Sequence, residues 1–290
     1  MTPEQLAILI PTRNRPAILR KTLEELLKLG FGPHPLLVYD DASDDAGAIA
    51  TVVASWPGSR LIRSDTRTGQ AKGRNRLMRE VGTEFALFLD DDSWPENRSA
   101  LLSGLEIMSR DGLVVATFQY RSLADGKLSA PPEQGRMPVS SFLGGASIFH
   151  VPKVLAVGGY RDVFVYGYEE PELAMRLWLA GMKIQYLPGV IVAHNHFETP
   201  GEKRDYREYD YLYARNSILM SSLNMPLWFG LPHGLARSLR RSFFQFRNAW
   251  PKLMGTLTGI WFSVALRGER VPCPFTKAIE WSRFNRRCKA

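Results

Sequence analysis

Cysteine is scarce in this 290-residue sequence: only Cys273 and Cys288, both near its end. Two thiols so placed cannot build the disulfide framework of a small secreted domain, and a reducing compartment is expected. A long hydrophobic run is also missing. The longest uncharged apolar stretch, 253–266, is broken by Gly255, Thr256, Thr258, Gly259 and Ser263, and it falls short of the roughly 20 residues a membrane span needs. The opening MTPEQLAILIP has no basic stretch and only a short apolar run, so no export signal is expected and a cytoplasmic location follows. Acidic residues are almost absent late in the chain. Residues 211–290 hold 13 basic and 2 acidic side chains, whereas residues 1–200 hold 21 and 23. The overall charge of +8 is therefore a near-neutral body with a basic tail. No internal repeat is present, and a hydrophobic content of 45% excludes a disordered tail protein.

What is present in the first half is alternation. Short apolar runs at 6–10, 35–40, 60–63, 85–90 and 113–118 read as strands. Helical spacing covers 16–29, with Ile18, Leu19, Leu23, Leu26 and Leu27 on its apolar positions, and then 70–81 and 97–109. This βαβ series predicts an α/β fold with a doubly wound, mostly parallel sheet and helices on both faces, its ligands beyond the C-terminal strand ends. Residues 121–139 are turn-rich and predict a loop. A strand near 142–150, a helix over 171–180 and strands KIQYL and VIVAH follow. The composition then shifts to arginine- and aromatic-rich helices, predicting a catalytic domain over 1–200 and a helical extension over 201–290.

Acidic clusters stand at two strand ends, Asp40–Asp41 and Asp90–Asp92. Like charges so close repel, and they persist only if solvated, as in ordinary turns, or neutralised by a cation or hydrogen-bond donors. A calcium loop starting at Asp41 is excluded, because Val52 holds the twelfth position where a bidentate glutamate is required. Hard oxygen ligands of this kind suit Mg²⁺ or Mn²⁺ holding a diphosphate. In YGYEEPELAMRL, Pro171 suits a first helical turn and places Glu169 and Glu170 at a helix N-terminus, where the dipole favours their charge. A carboxylate there can serve as a general base or simply complement the dipole. Arg176, four residues after Glu172, reads as its structural ion-pair partner. His194 and His196 end the strand VIVAH on one strand face, so one or both can ligate a metal, or they can be structural.

In this order the segments over 6–197 resemble the family-two glycosyltransferases of GT-A fold. ILIPTRNRP is similar to the first strand and turn, with Pro11, Thr12 and Arg13 on the donor side. VYDDASDD resembles the segment whose first acidic residue, Asp40, pairs with the nucleotide base. GQAKGRN matches a helix start near the donor, which implies donor contact by Arg74. FLDDDS resembles the DxD motif, implying Asp90 toward ribose or metal, Asp91 on the donor side and Asp92 as a metal ligand. FLGGASIFHVPKVLAVGGYRD resembles the acceptor-side segment centred on Gly144 and Gly145. YGYEEPELAMRL is similar to the family's acidic motif, implying Glu170 as base with Glu169 on the acceptor side. His194 falls where some relatives place another metal ligand, with His196 as the alternative. The family's usual base is aspartate, so Glu170 is one methylene longer. The resemblance implies a metal-dependent, inverting transfer from a nucleotide sugar to a glycan or lipid-linked glycan, with Mn²⁺ or Mg²⁺. A carboxylate at Asp40 accepting from an imide N–H favours a UDP- or dTDP-sugar. A nucleotidyltransferase, or a non-catalytic glycan- or nucleotide-binding module at the membrane, are the other readings.

For the tail, a single helix over 234–250 would put Leu235, Leu239, Phe243, Phe246 and Trp250 in one sector and Arg237, Arg240, Arg241 and Arg247 outside it. Such a helix suits either an anionic membrane surface or packing on the domain. No nucleic-acid motif accompanies it, so no nucleic-acid partner is expected. The segment 209–226 resembles the helix after the catalytic domain in bacterial enzymes of surface-polysaccharide synthesis, which implies a peripheral position on the inner face of the cell membrane.

Overall fold

The structure, a computed structural model, describes residues 5–130, 135–195, 206–244 and 248–288. The strands are β1 (Leu6–Thr12), β2 (Leu36–Asp41), β3 (Arg60–Ser64), β4 (Phe85–Leu89), β5 (Ser93–Pro95), β6 (Leu113–Ser122), β7 (Met137–Pro138), β8 (Ala146–His150) and β9 (Lys183–His194). The helices are α1 (Pro16–Lys28), α2 (Ala46–Ala54), α3 (Gln70–Glu80), α4 (Arg98–Arg110), α5 (Val151–Ala156), α6 (Glu169–Leu179), α7 (Tyr206–Asn224), α8 (Leu227–Phe244), α9 (Ala249–Ala265) and α10 (Phe275–Arg287).

The sheet runs β3-β2-β1-β4-β8-β6-β9-β5, with β7 paired to β9. Strands β3, β2, β1 and β4 are parallel; β8 is antiparallel to both β4 and β6, and β9 is parallel to β6. β1, β2, β3, β4, β6 and β9 therefore share one direction. Among the described residues no crossover helix stands between β6 and β8, as their antiparallel pairing allows. The C-terminal ends of β1, β2, β4, β6 and β9 consequently lie along one edge, bringing Thr12, Asp40, Asp90, Tyr120 and His194 to the same side.

Strand alternation explains the two cores. Leu6, Ile8 and Ile10 point to the face covered by α1, α2 and α4, where Leu19, Leu23, Leu26, Ile49, Val52, Leu101 and Leu105 are buried. Ala7 and Leu9 point to the other face, against Leu77 and Met78 of α3, Leu173 and Leu177 of α6, Leu219 and Leu223 of α7, and Trp281 of α10. Burying each such large side chain stabilises the fold by about 1.5–3 kcal/mol. β2 and β4 are buried at every position, as strands covered on both faces must be.

The tail departs from the expected single helix over 234–250. α8 ends at Phe244 and α9 begins at Ala249, with Asn248 between them in the left-handed region at φ 61°. Pro251 gives the reason: it fits the first turn of a new helix, but inside a continuous one it would remove a hydrogen bond and clash with the preceding turn. Trp250 thus belongs to a different helix from Leu235 and Leu239, while Phe246 and Arg247 lie outside the described residues. α7 is clasped between α8 and α9. A Cβ on Gly230 would stand 2.5 Å from the Ser221 carbonyl oxygen, and one on Gly259 would stand 2.9 Å from that of Arg215. The approach is possible only without side chains. Buried hydroxyls seal it, with Ser222–Ser263 at 2.7 Å and Ser238–Thr256 at 2.8 Å. Among the described residues no helix is long and apolar enough to cross a membrane.

Candidate active site

The Asp90–Asp92 turn is held by donors from several elements. Thr12, the last residue of β1, donates to Asp91 Oδ2 at 2.7 Å, and Thr22 of α1 donates to the Asp91 carbonyl at 2.7 Å. Arg15 spans the turn, with Nη1 2.5 Å from Asp91 Oδ1 and Nη2 2.9 Å from Asp92 Oδ2. Tyr120 of β6 donates to Asp90 Oδ2 at 3.1 Å. Hydrogen-bond donors therefore offset the expected repulsion here, alongside any cation. Burial pushes Asp91 up to about 7, outweighing Arg15 and Thr12, which pull it down. Burial also raises Asp92, but His194 and Arg15 outweigh it and hold this carboxyl below its ordinary value.

His194 ends β9 with Nε2 3.2 Å from Asp92 Oδ1, its ring stacked on Tyr120 at 4.4 Å. Burial disfavours its cation, yet Asp92 raises its pKa above the usual histidine value. Ligand atoms of Asp90, Asp92 and His194 lie within 4.8 Å of one another. Two carboxylates and one imidazole so close are a donor set that fits a divalent ion. His196, the alternative ligand, lies outside the described residues.

Arg74 of α3 is buried and joins this cluster to the acidic helix. Its Nη2 lies 3.2 Å from Asp90 Oδ1 and its Nη1 2.9 Å from Glu170 Oε1. Glu169 and Glu170 open α6 behind Tyr168, whose φ of 73° turns the chain into the helix. Burial raises the Glu170 pKa, with Arg74 pulling it back. Burial, then the charge of Glu170, pushes Glu169 up to about 8, and its Oε2 is buried without a hydrogen-bond partner.

Gly144 and Gly145, in the turn before β8, leave the room for these contacts. A Cβ at Gly144 would strike the Arg74 guanidinium and the Glu170 carboxylate, and one at Gly145 would strike the Asp90 carboxylate and the Tyr120 hydroxyl. Glu172 serves structure, as expected for its pairing with Arg176. It is fully buried and accepts from Arg176 at 2.7 Å and from Asn224 of α7 at 3.1 Å, with Arg161 at 3.3 Å.

Of the residues expected on the nucleotide side, Thr12 joins this cluster through Asp91, while Asp40 makes its own contacts. Asp40 is fully buried and accepts from Ser43 and from Arg63, its register partner on β3. In the β1–β2 ladder it lies beside Thr12, and Pro11 lies beside Tyr39. The Nε of Arg13 is buried and has no hydrogen-bond partner. Asp41 ties down the entry to α3, accepting from the Thr68 amide at 2.6 Å and the Gly69 amide at 3.0 Å. Arg15, Arg63 and Tyr120 were missed in the sequence. Arg15 lies within ILIPTRNRP, two positions from Arg13, whereas the placement of Arg63 and Tyr120 depends on strand register and on β6 running past 118.

Comparison with known proteins agrees with this architecture. Residues 7–153, just over half of the chain, match the glycosyl transferase family 2 model, and residues 127–200 match the N-terminal domain of galactosyltransferase. A pre-mycofactocin glycosyltransferase from Mycobacterium tuberculosis is 26% identical over 210 residues, covering 66% of this chain. The chain spans only 43% of that relative's length. Among solved structures, GalNAc-T7 with UDP, GalNAc and Mn²⁺ superposes with a TM-score of 0.64 at 14% identity, over 83% of this chain and 51% of that one. S. aureus TarS 1–349 in complex with UDP-GlcNAc gives 0.63 at 17% identity, over 90% and 80%. These likenesses show a GT-A fold, and with the match over 7–153 the chain belongs to glycosyl transferase family 2.

Proposed function

We propose that the protein moves a sugar from a nucleoside-diphosphate sugar to a hydroxyl of a glycan or lipid-linked glycan, with inversion at the anomeric carbon. The observation that carries this reading is the buried Arg74, held between Asp90 of the DxD turn and Glu170 at the start of α6. It ties a cluster suited to diphosphate chemistry to a carboxylate suited to taking a proton.

Glu170 accepts the proton of the acceptor hydroxyl as that oxygen attacks the anomeric carbon, while the bond to the diphosphate breaks on the opposite face. Arg74 holds Glu170 in place and favours its ionised form against the effect of burial. Asp90, Asp92 and His194 are the residues that would hold a divalent ion. Their mixed oxygen and nitrogen set favours Mn²⁺ over Mg²⁺, which keeps to oxygen. Such an ion, when bound, offsets charge developing on the leaving diphosphate. On the donor side we assign Pro11, Thr12, Arg13, Asp40, Arg74, Asp90 and Asp91, with Gly144, Gly145 and Glu169 toward the acceptor. Asp40 as acceptor from a base imide favours UDP- or dTDP-sugars. Nucleotidyl transfer would leave Glu170 without a proton to take. We also propose the division into a catalytic domain over 1–200 and an extension over 201–290.

The test is Glu170→Gln, assayed with a panel of nucleotide sugars first scored by thermal stabilisation with and without Mn²⁺. The amide keeps the shape but cannot accept the proton, so donor binding should persist while turnover falls by about 10²–10⁴-fold. Near-normal turnover would refute Glu170 as base.

A further inference from the structure

α9 is built with its bulky apolar residues on the outside. Its face against α7 carries Lys252, Gly255, Thr256, Gly259 and Ser263, all buried, and the glycines bring the two backbones into contact. Its outer face carries Trp250, Leu253, Met254, Leu257, Trp261 and Val264. These six fall in a sector of about 100° on a helical wheel, over a rise of about 21 Å. Trp250 is 70% exposed, Leu257 51%, Trp261 63% and Val264 60%. Lys252 is the only charged residue in the helix and lies on the buried side. A helix docked on its own domain normally shows the reverse pattern, apolar inward and polar outward, and a contiguous apolar surface rimmed by charge marks an interaction site.

We propose that this outer face of α9 lies in the surface of an anionic lipid bilayer, parallel to its plane. At 17 residues the helix is about 25 Å long, too short to span a hydrocarbon core of about 30 Å. Trp250 and Trp261 stand eleven positions apart on the exposed sector. Tryptophan is the residue type enriched at membrane–water interfaces. Charge decides between lipid and a second copy of the chain. Residues 211–290 carry 13 basic against 2 acidic side chains, and Arg240 before the helix and Arg267 just after it are exposed. Pairing two copies through this stripe would bring two strongly positive extensions together, whereas an anionic lipid surface offers the opposite sign. The docking helix is therefore α9, to which only the end of the segment 234–250, with Trp250, belongs. The inference does not rest on the glycosyl-transfer reading.

The experiment is flotation of the full chain with phosphatidylcholine vesicles, with and without phosphatidylglycerol, alongside sedimentation velocity without lipid. The unmodified chain should float with the anionic vesicles, and raised salt should weaken this, because the charge contribution is screened. Leu257→Glu, at an exposed position, should keep the thermal midpoint and weaken binding about tenfold or more, equivalent to about 1.4 kcal/mol. Brominated acyl chains should quench tryptophan emission of the unmodified chain, an arm that needs no variant. Absence of flotation and quenching would overturn the proposal, as would unchanged binding by a folded Leu257→Glu chain. A dimer that Leu257→Glu dissociates would assign the stripe to a second copy and overturn it equally.

Discussion

Replacing Glu169 by glutamine should stabilise the protein, and only at higher pH. Glu169 is 3% exposed, its Oε2 has no hydrogen-bond partner, and burial followed by the charge of Glu170 raises it from 4.5 to about 8. Between those two values the native chain holds a proton that the unfolded chain has released. Stability therefore falls as pH rises through this window, because the folded state binds more protons than the unfolded one. Each pH unit is worth about 1.4 kcal/mol, so the full interval costs the native state at most about 5 kcal/mol. Glutamine keeps the volume and has no proton to lose. In urea denaturation the variant should match the unmodified chain within about 1 kcal/mol near pH 5 and exceed it by a few kcal/mol near pH 8.5. Parallel stability curves across that range would refute the reasoning, since Glu169 would then titrate as an ordinary surface carboxylate.

Asp92→Ala should abolish Mn²⁺-dependent binding of the donor diphosphate, measured by calorimetry with and without the metal; unchanged affinity would remove Asp92 from the ligand set. Gly145→Ala should destabilise by about 1–3 kcal/mol, because the new methyl must displace the Asp90 carboxylate or the Tyr120 hydroxyl. It should also weaken Mn²⁺ affinity, and a variant with both the thermal midpoint and the metal affinity unchanged would show that the turn before β8 yields freely.

Much of the strand and helix order over residues 6–194 was legible because its signals are local, although α2, α5, β5 and β7 were not read and KIQYL and VIVAH form the single strand β9. Apolar runs such as FALFL, buried at every position, and Pro16 opening α1 act within a few residues. The acidic cluster was legible for the same reason, since its members follow one strand. Arg15 and Arg74 as the charges that neutralise it were not, because each reaches Asp90–Asp92 through the tertiary fold. Arg63 meets Asp40 through strand register, a property of the pairing and not of either segment. The tail misled for a different reason. Helical spacing continued past a point where Pro251 demands a new start, so residues of two helices were placed on one wheel. A signal for its packing was present: Gly230 and Gly234, like Gly255 and Gly259, recur four residues apart, the spacing of one helix face.

The loop ahead of α6 owes its shape to the extension. Asn216 of α7 donates to the Tyr166 carbonyl at 3.0 Å and to that of Gly167 at 2.6 Å, and Arg215 donates to that of Val163 at 2.7 Å. Arg237 of α8 lies over the Tyr168 ring at 5.3 Å. The free energy for opening the backbone that carries Glu169 and Glu170 is thus set by the helices after it as well as by the sheet. Such segments open and close as one cooperative unit. Anything that stiffens α7, α8 and α9 therefore also restricts the backbone that carries the acidic pair.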